Sequence, residues 1–189
     1  MKPKAAPVRG PRLATRKAAS VVIINTGDGK GKSTAAFGTA LRALARGWKV
    51  CVVQFVKSAD QWKVGERELG ERLGVDWSAS GDGFTWDSKD LERSAEFARA
   101  GWKLAASKLA SGDFRLVILD EITYPINWGW IPLAEVAAAI RSRPPSVNVI
   151  LTGRDAPEEL VELADTVTEM RNRKHAFDRG IKAIQGIDF

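Results

Sequence analysis

The stretch SVVIINTGDGKGKSTAAFGTALRALARG, residues 20–47, decides the fold. It begins with SVVIIN, whose apolar and β-branched side chains are typical of a strand buried on both faces. TGDGKGKST follows as residues 26–34, and residues 32–46 then have the pattern of a helix that Gly47 ends. A strand, a glycine-rich loop and a helix in this order predict a phosphate-binding loop.

The loop follows the pattern G-x-x-x-x-G-K-[ST] except at its first position, where Thr26 replaces glycine. Its glycines allow backbone N–H groups to turn toward an anion, and the helix N-terminus adds a positive dipole. We expect Lys32 to neutralise phosphate oxygens and the Ser33 hydroxyl to bind Mg²⁺. A turn without a ligand is the alternative, but the neighbouring strand and helix favour phosphate binding. The predicted nucleotide-binding residues of the loop are Thr26, Gly27, Asp28, Gly29, Lys30, Gly31, Lys32, Ser33 and Thr34.

Charged residues follow two further apolar strands. Asp120 and Glu121 end RLVILDE, so they should lie at the carboxyl edge of the sheet, where α/β proteins bind ligands. Either carboxylate can hold Mg²⁺, directly or through water, and the other can position a water or a nucleotide hydroxyl. Arg154 in LTGR can contact triphosphate or ribose, with a capping or surface role as the alternative.

The rest of the chain alternates strand and helix patterns, which predicts an α/β fold with a mostly parallel sheet flanked by helices on both faces. The region ITYPINWGWIP, residues 122–132, is expected to be a loop because it is rich in proline and aromatic side chains. The other expected strands lie near residues 49–55, 75–80, 115–121, 147–154 and 165–170. The other expected helices lie near residues 64–69, 87–111, 132–142 and 157–164.

The formal net charge of +6 is concentrated at the N-terminus. Of the 29 basic residues, six lie in residues 1–19, which contain no acid, and the other 23 balance the 23 acidic residues. We therefore expect a basic, flexible tail over residues 1–19, a single domain over residues 20–189, and no nucleic-acid partner. The chain has neither an apolar run long enough to span a membrane nor the core of a signal peptide, so a cytoplasmic location without membrane attachment is expected.

Cysteine and histidine are too scarce for a structural zinc site, since Cys51 and His175 are the only ones. Cys51 lies in the apolar run KVCVVQF, so we expect a buried and inert thiol.

The chain contains seven tryptophans, and several of them occur in predicted loops. Phe84 and Trp86 belong to GDGFTW, while Tyr124, Trp128 and Trp130 come shortly after the two acidic residues. Aromatic side chains on loops cover either the core or a flat ligand such as a nucleobase or a planar cofactor. Composition by itself favours the core.

Seven segments carry, in order, a resemblance to a known family: TGDGKGKSTAAFGTALRALARG, VVQFVK, GFTW, VILDEITYPINWGW, VNVILTGR, ADTVTEM and KHAFDRGIKAIQGIDF. They resemble the ATP:corrinoid adenosyltransferases of cobalamin biosynthesis, in the phosphate-loop type and not the unrelated helical-bundle type. The resemblance covers residues 20–189. It implies a P-loop NTPase-like (RecA-like) fold, a homodimer, and transfer of the 5′-deoxyadenosyl group of ATP to the Co(I) of a corrinoid with release of triphosphate.

The resemblance also implies roles for single residues. Lys32 and Glu121 would act in catalysis, with Glu121 and Ser33 near Mg²⁺. Arg42 and Arg154 would contact the nucleotide. Phe84 and Trp86 would displace the lower axial base of the corrinoid, which makes a four-coordinate Co(II) easier to reduce. Co(I) is itself a strong nucleophile, so no general base is required.

Other implications of the resemblance concern partners and departures from the pattern. The corrinoid would be cobalamin, cobinamide or cobyrinic acid a,c-diamide, and a flavoprotein reductase would supply the electron; the sequence does not choose among these corrinoids. Asp28 stands where the family often has Asn, which puts its orientation in question. Ser33 stands where the family often has Thr and keeps the hydroxyl. Whether the tail orders over a partner's active site is left open.

Two rival functions stay open at this point. A RecA-like ATPase would use Glu121 to activate water against the γ-phosphate and would release ADP and phosphate instead of triphosphate. A nucleic-acid-binding module would use the basic tail and the aromatic side chains, and its salt-sensitive DNA binding would be lost on deletion of residues 1–19.

Overall fold

A computed structural model of the chain describes residues 17–58, 65–81 and 91–188. The strands are β1 (Val22–Thr26), β2 (Val50–Ser58), β3 (Asp76–Gly81), β4 (Leu116–Asp120), β5 (Asn148–Thr152) and β6 (Thr166–Glu169). The helices are α1 (Lys32–Leu44), α2 (Gly65–Arg72), α3 (Leu91–Ser111), α4 (Thr123–Asn127), α5 (Leu133–Ser142) and α6 (Glu158–Leu163), followed by a 3₁₀ turn at Phe177–Arg179.

The six strands form one sheet in the order β3-β2-β4-β5-β1-β6, and all of its strand pairs are parallel. Successive residues of the central strands face opposite sides of the sheet. In β4, Val117 and Leu119 pack with α3 and α5, whereas Leu116 and Ile118 pack with α1. Burial on both faces explains why the central strands are continuous apolar runs, and it confirms the α/β fold expected from the sequence.

Most of the expected elements are present, with small shifts of their ends. α1 ends at Leu44, two residues earlier than expected, and α5 begins at Leu133 with Pro132 as its cap. The expected helix 87–111 is described from Leu91 onward, and its first residues lie outside the described part, as do residues 1–16 of the expected tail.

The expectation of a loop over residues 122–132 is wrong in its first half, because Thr123–Asn127 forms α4. Pro125 is compatible with this short helix because it lies in the first turn, where backbone N–H groups have no intrahelical partner.

A parallel sheet brings the carboxyl ends of all its strands to one edge. β1 lies between β5 and β6, so the glycine-rich loop that follows β1 is flanked by the loops that follow those two strands. The loop after β4 begins at the same edge, one strand further along. The fold therefore gathers the charged loop residues predicted from the sequence.

No helix in residues 17–58, 65–81 and 91–188 combines the length and apolar character needed to span a bilayer.

Cys51 lies in β2 with no exposed surface, as expected. Burial raises the pKa of its thiol from an ordinary value near 9 to about 12, and the nearby Asp76 carboxylate acts in the same direction. A neutral thiol in this position behaves as a small apolar side chain.

We expect the free energy of unfolding to fall above pH 9 because of this thiol. The unfolded chain loses the proton near pH 9 while the folded chain keeps it, so rising pH favours the unfolded state by up to about 1.4 kcal/mol per pH unit. Urea unfolding of the wild type and of Cys51→Ala at pH 7.5, 9 and 10.5 measures the difference. The stability advantage of the wild type should shrink as the pH rises, and identical pH dependence of the two proteins would contradict the assignment.

Candidate active site

The glycine-rich loop has a backbone that only glycine adopts easily at two positions. Gly27 has a φ of 91° and Gly31 a φ of 113°, both in the left-handed region. Gly31 directly precedes α1, so the free N–H groups of Lys32, Ser33 and Thr34 lie at the start of the helix. This is the geometry of an anion site built by a loop and a helix N-terminus.

The loop is anchored to both of its neighbours. The backbone N–H of Gly29 donates to the carbonyl of Met170 at 2.6 Å, and the N–H of Met170 donates to the carbonyl of Thr26 at 2.8 Å. On the other side, the Thr26 hydroxyl accepts a hydrogen bond from the N–H of Ala156 at 3.2 Å. The threonine that replaces the first glycine of the pattern therefore ties the loop to the segment after β5.

Lys32 folds back over the loop. Its Nζ donates to the carbonyls of Gly27 and Gly29 at 2.7 and 2.8 Å. Burial lowers the pKa of Lys32 and the nearby Arg154 lowers it further, while Asp28, Glu121 and Asp120 act in the opposite direction. A partly desolvated cation beside a second cation favours the arrival of an anion, which is what a phosphate group provides.

Asp120 and Glu121 occupy different environments. Asp120 has no exposed surface, and its two oxygens accept hydrogen bonds from Gln54 and Thr152. Glu121 is half-buried, and its φ of 62° turns the chain sharply out of β4. The structure thus separates the two acidic residues into a buried member of the sheet and a member at its edge.

The oxygen donors near the loop suit Mg²⁺ bound together with substrate phosphates better than a metal ion coordinated by protein side chains alone. Within the described residues, no three His, Cys, Asp or Glu side chains come together as a metal site. Mg²⁺ is usually held by one or two carboxylates together with substrate phosphates and water. The Ser33 hydroxyl at the loop and the Glu121 carboxylate fit that requirement.

Arg154 follows β5 and is exposed, and its effect on the pKa of Lys32 places it near the loop. Its carbonyl accepts hydrogen bonds from the Thr123 hydroxyl at 2.6 Å and from the Asn127 amide at 3.5 Å. The preceding Gly153 has a φ of 142°, and a Cβ there would lie 2.0 Å from the Thr123 hydroxyl. The backbone of Arg154 is therefore held in place by α4.

Lys30, the additional lysine of the loop, forms an ion pair with Asp188 near the C-terminus. Asp188 also accepts a hydrogen bond from the N–H of Ile184 at 2.8 Å, which closes the last turn of the described chain. The C-terminal segment thus reaches the glycine-rich loop.

The structure does not bring Arg42 to this group. Arg42 lies in the last turn of α1, and ten residues at a rise of about 1.5 Å place it roughly 15 Å along the helix from Lys32. It lines a cavity of about 310 Å³ at the opposite edge of the sheet, together with Arg46, Trp48 and Asn148. A contact between Arg42 and the nucleotide stays a prediction.

Three aromatic side chains of α4 and the segment that follows it pack on one another. The rings of Tyr124 and Trp128 stack with centroids 5.6 Å apart, and Trp130 packs on Trp128 at 4.7 Å. Trp130 also contacts the core beneath it, in line with the interpretation as core. Phe84 and Trp86 lie outside the described residues.

Several residues of the site were not predicted from the sequence: Gln54, Thr152, Thr123, Asn127, Met170 and Asp188. Gln54 and Thr152 left a usable signal, because each is a polar residue in an otherwise apolar run, Gln54 within β2 and Thr152 at the end of β5. The contacts of Met170 and Asp188 depend on which chain segments become neighbours, and local sequence carries no sign of that.

The fold has a counterpart among solved structures. The flagellar accessory protein FlaH from Methanocaldococcus jannaschii has a similar structure, with a TM-score of 0.52 over 80% of this chain and 71% of FlaH. At 13% sequence identity this similarity concerns the fold alone.

Sequence comparison is more specific. The chain is 47% identical over 169 residues to a corrinoid adenosyltransferase from Escherichia coli strain K12, covering 89% of this chain and 85% of that protein. It is 45% identical to the corrinoid adenosyltransferase CobA from Salmonella typhimurium, with the same coverage. The sequence model of the ATP:corrinoid adenosyltransferases BtuR/CobO/CobP matches residues 18–189. The chain belongs to this family of ATP:corrinoid adenosyltransferases.

Proposed function

We propose that this protein transfers the 5′-deoxyadenosyl group of ATP to the Co(I) centre of a corrinoid, with Mg²⁺ as cofactor. The observation that carries this function is the group formed by Lys32, Glu121 and Arg154 around the anchored glycine loop, in a chain of this family. Such a group binds a triphosphate, and it serves equally well when that triphosphate is the leaving group.

The reaction is a displacement at carbon. The cobalt electron pair forms a bond to C5′ of ATP, the C5′–O bond breaks, and its electrons leave with the triphosphate. The nucleophile is the reduced metal of the substrate, so no side chain has to remove a proton. This fits a chain whose only cysteine is buried and whose only histidine already accepts the Phe177 N–H at its Nδ1.

The proposed roles follow the positions of the residues. Lys32 and the N–H groups at the start of α1 bind the phosphates and stabilise the charge that develops on the leaving group. Arg154, held by α4, adds a second cation on the side of β5. Ser33 and Glu121 would hold Mg²⁺, which supplies further charge neutralisation of the triphosphate when bound.

We further propose a cytoplasmic homodimer in which residues 20–189 form one domain and residues 1–19 a tail. Several exposed apolar side chains lie near the C-terminus, among them Phe177 and Ile187, which are 78% and 73% exposed, and such side chains favour contact with a second copy. Light scattering at micromolar concentration tests the dimer. A separate flavoprotein reductase is proposed as the electron source.

The activity is tested with ATP, magnesium and chemically reduced cob(I)alamin, which makes the assay independent of any reductase. Adenosylated corrinoid is followed by its absorption spectrum, and the phosphate product is identified in the same reaction. We expect one triphosphate for each adenosylated corrinoid. ADP and phosphate without adenosylated product would instead identify an ATPase.

We expect Trp86→Ala to separate reduction from transfer. If Trp86 displaces the lower axial base, the variant should lose at least about tenfold in rate when the reaction starts from Co(II), roughly 1.4 kcal/mol, and little when it starts from Co(I). Parallel assays with the two cobalt states measure this. Trp48→Phe, at the opposite edge of the sheet, is the control. An equal loss in both assays would make Trp86 a packing residue.

A further inference from the structure

Three neighbouring strands of the sheet carry buried polar side chains at adjacent positions. Gln54 on β2 and Asp120 on β4 are direct register partners, and Thr152 on β5 follows the pair formed by Leu119 and Leu151. Gln54 is 2% exposed, and Asp120 and Thr152 are fully buried. Polar groups at such positions cost stability unless they bind one another, so their hydrogen bonds indicate what they do.

The three side chains form one connected set of hydrogen bonds that leads to Glu121. Gln54 Nε2 donates to Asp120 Oδ2 at 2.8 Å, and Thr152 Oγ1 donates to Asp120 Oδ1 at 2.6 Å. The same Thr152 oxygen accepts the backbone N–H of Glu121 at 2.9 Å. Asp120 fixes the direction of the Thr152 hydroxyl, and Thr152 in turn fixes the backbone of Glu121.

The Thr152 hydroxyl supports a backbone conformation of Glu121 that is energetically unfavourable. Glu121 has a φ of 62°, and a residue other than glycine pays about 1–2 kcal/mol for this left-handed conformation. The conformation directs the chain from β4 into α4, and therefore sets where the Glu121 side chain begins. A hydrogen bond to the N–H of this residue from a buried, fixed acceptor stabilises it at the point where the strain lies.

We propose that Thr152 and Gln54 are positioning residues for the magnesium-binding carboxylate of Glu121, and that Asp120 is the buried anchor of this set instead of a metal ligand. The inference rests on the proposed function, which places Mg²⁺ at Ser33 and Glu121. Burial supports the division of roles, because both oxygens of Asp120 already accept hydrogen bonds beneath the surface, whereas Glu121 lies at the edge of the sheet.

Equilibrium binding of ATP in the absence of corrinoid tests the proposal. The dissociation constant is measured by calorimetry with excess Mg²⁺ and again with EDTA, and the ratio of the two values is the gain due to magnesium. Thr152→Val keeps the shape of the side chain and removes the hydroxyl. We expect it to reduce the gain by about 10–100-fold, the usual effect of removing a group that orients a metal ligand. ATP affinity in EDTA should change less than about twofold.

Further variants distinguish a loss of Glu121 positioning from a general loss of protein stability. Thr152→Ser restores the hydroxyl and should restore the gain. Val149→Ala truncates a buried side chain on the same strand without touching the hydrogen-bonded set, so it should lower the unfolding temperature and leave the gain unchanged. Gln54→Met removes the other donor to Asp120 and should reduce the gain as well. If Thr152→Val does not fold, Gln54→Met tests whether the hydrogen-bonded set positions Glu121.

The outcomes are distinct. A Thr152→Val protein that keeps the wild-type gain overturns the proposal, and so does one that loses equal affinity with and without magnesium. A wild type that shows no gain overturns the magnesium assignment and this inference with it. Neither result decides whether adenosyl transfer occurs, because the cob(I)alamin assay measures that separately.

Discussion

Replacing Lys32 by methionine should lower kcat/KM for adenosyl transfer by about 10²–10³-fold, the loss that follows removal of one fixed electrostatic contact to a developing charge. The Nζ of Lys32 donates to the Gly27 and Gly29 carbonyls of the loop, and burial has already lowered its pKa. Burial deprives the charged Lys32 ammonium group of solvation in the free protein. The phosphate oxygens of bound ATP stabilise that charge again. The rate with cob(I)alamin and the ATP dissociation constant measure the effect.

The loss should come from charge and not from misfolding. Methionine keeps most of the length of the side chain, so the unfolding temperature should stay near that of the wild type. Lys103→Met removes an exposed lysine from α3 and serves as the control for net charge. If Lys32→Met retains more than a third of the wild-type rate, the loop does not use this lysine as proposed.

The second large effect is expected from Gly27→Ala. An added Cβ would lie 2.5 Å from the Met170 carbonyl oxygen and 2.9 Å from the Met170 nitrogen, and the φ of 91° is unfavourable for alanine. Neither backbone atom moves easily, since the Met170 backbone is hydrogen-bonded to Thr26 and Gly29. Overpacking and backbone strain together should lower the free energy of unfolding by about 2–4 kcal/mol and weaken ATP binding at least tenfold.

Gly180→Ala separates the two causes. Gly180 has a φ of 71°, and nothing lies within 4 Å of the position that a Cβ would take. The free energy of unfolding of Gly180→Ala should therefore fall only by the backbone strain, about 1–2 kcal/mol. Equal losses of unfolding free energy in the two variants would mean that the loop relaxes away from Met170 at no cost. Urea denaturation of both proteins provides the measurement.

The sequence predicted those features of the fold that depend on local pattern. The apolar runs around Ile24, Val52, Ile118 and Ile150 indicated strands buried on both faces, and all four belong to the central strands of the sheet. The spacing of Gly31 and Lys32 indicated where α1 begins. These features are encoded within a few residues, so no knowledge of the neighbouring segments was needed.

The contacts that shape the site were harder to predict because they join distant segments. Asp120 and Glu121 are adjacent in sequence and looked equivalent, yet Thr152 and Gln54 bind one of them within the sheet. The register between strands decides this, and a register cannot be read from one strand alone. Lys30 is a similar case, since its partner Asp188 comes from the other end of the chain.

The burial of Cys51 has a practical consequence for measuring how this protein moves. Because the only thiol of the chain is covered by the sheet and its helices, a thiol-specific dye or spin label has no native site to react with. A single cysteine introduced at the exposed Phe177 or Lys103 would carry the label alone. Distances from that label to the paramagnetic Co(II) of a bound corrinoid could then be recorded by electron spin resonance, without first removing a natural cysteine.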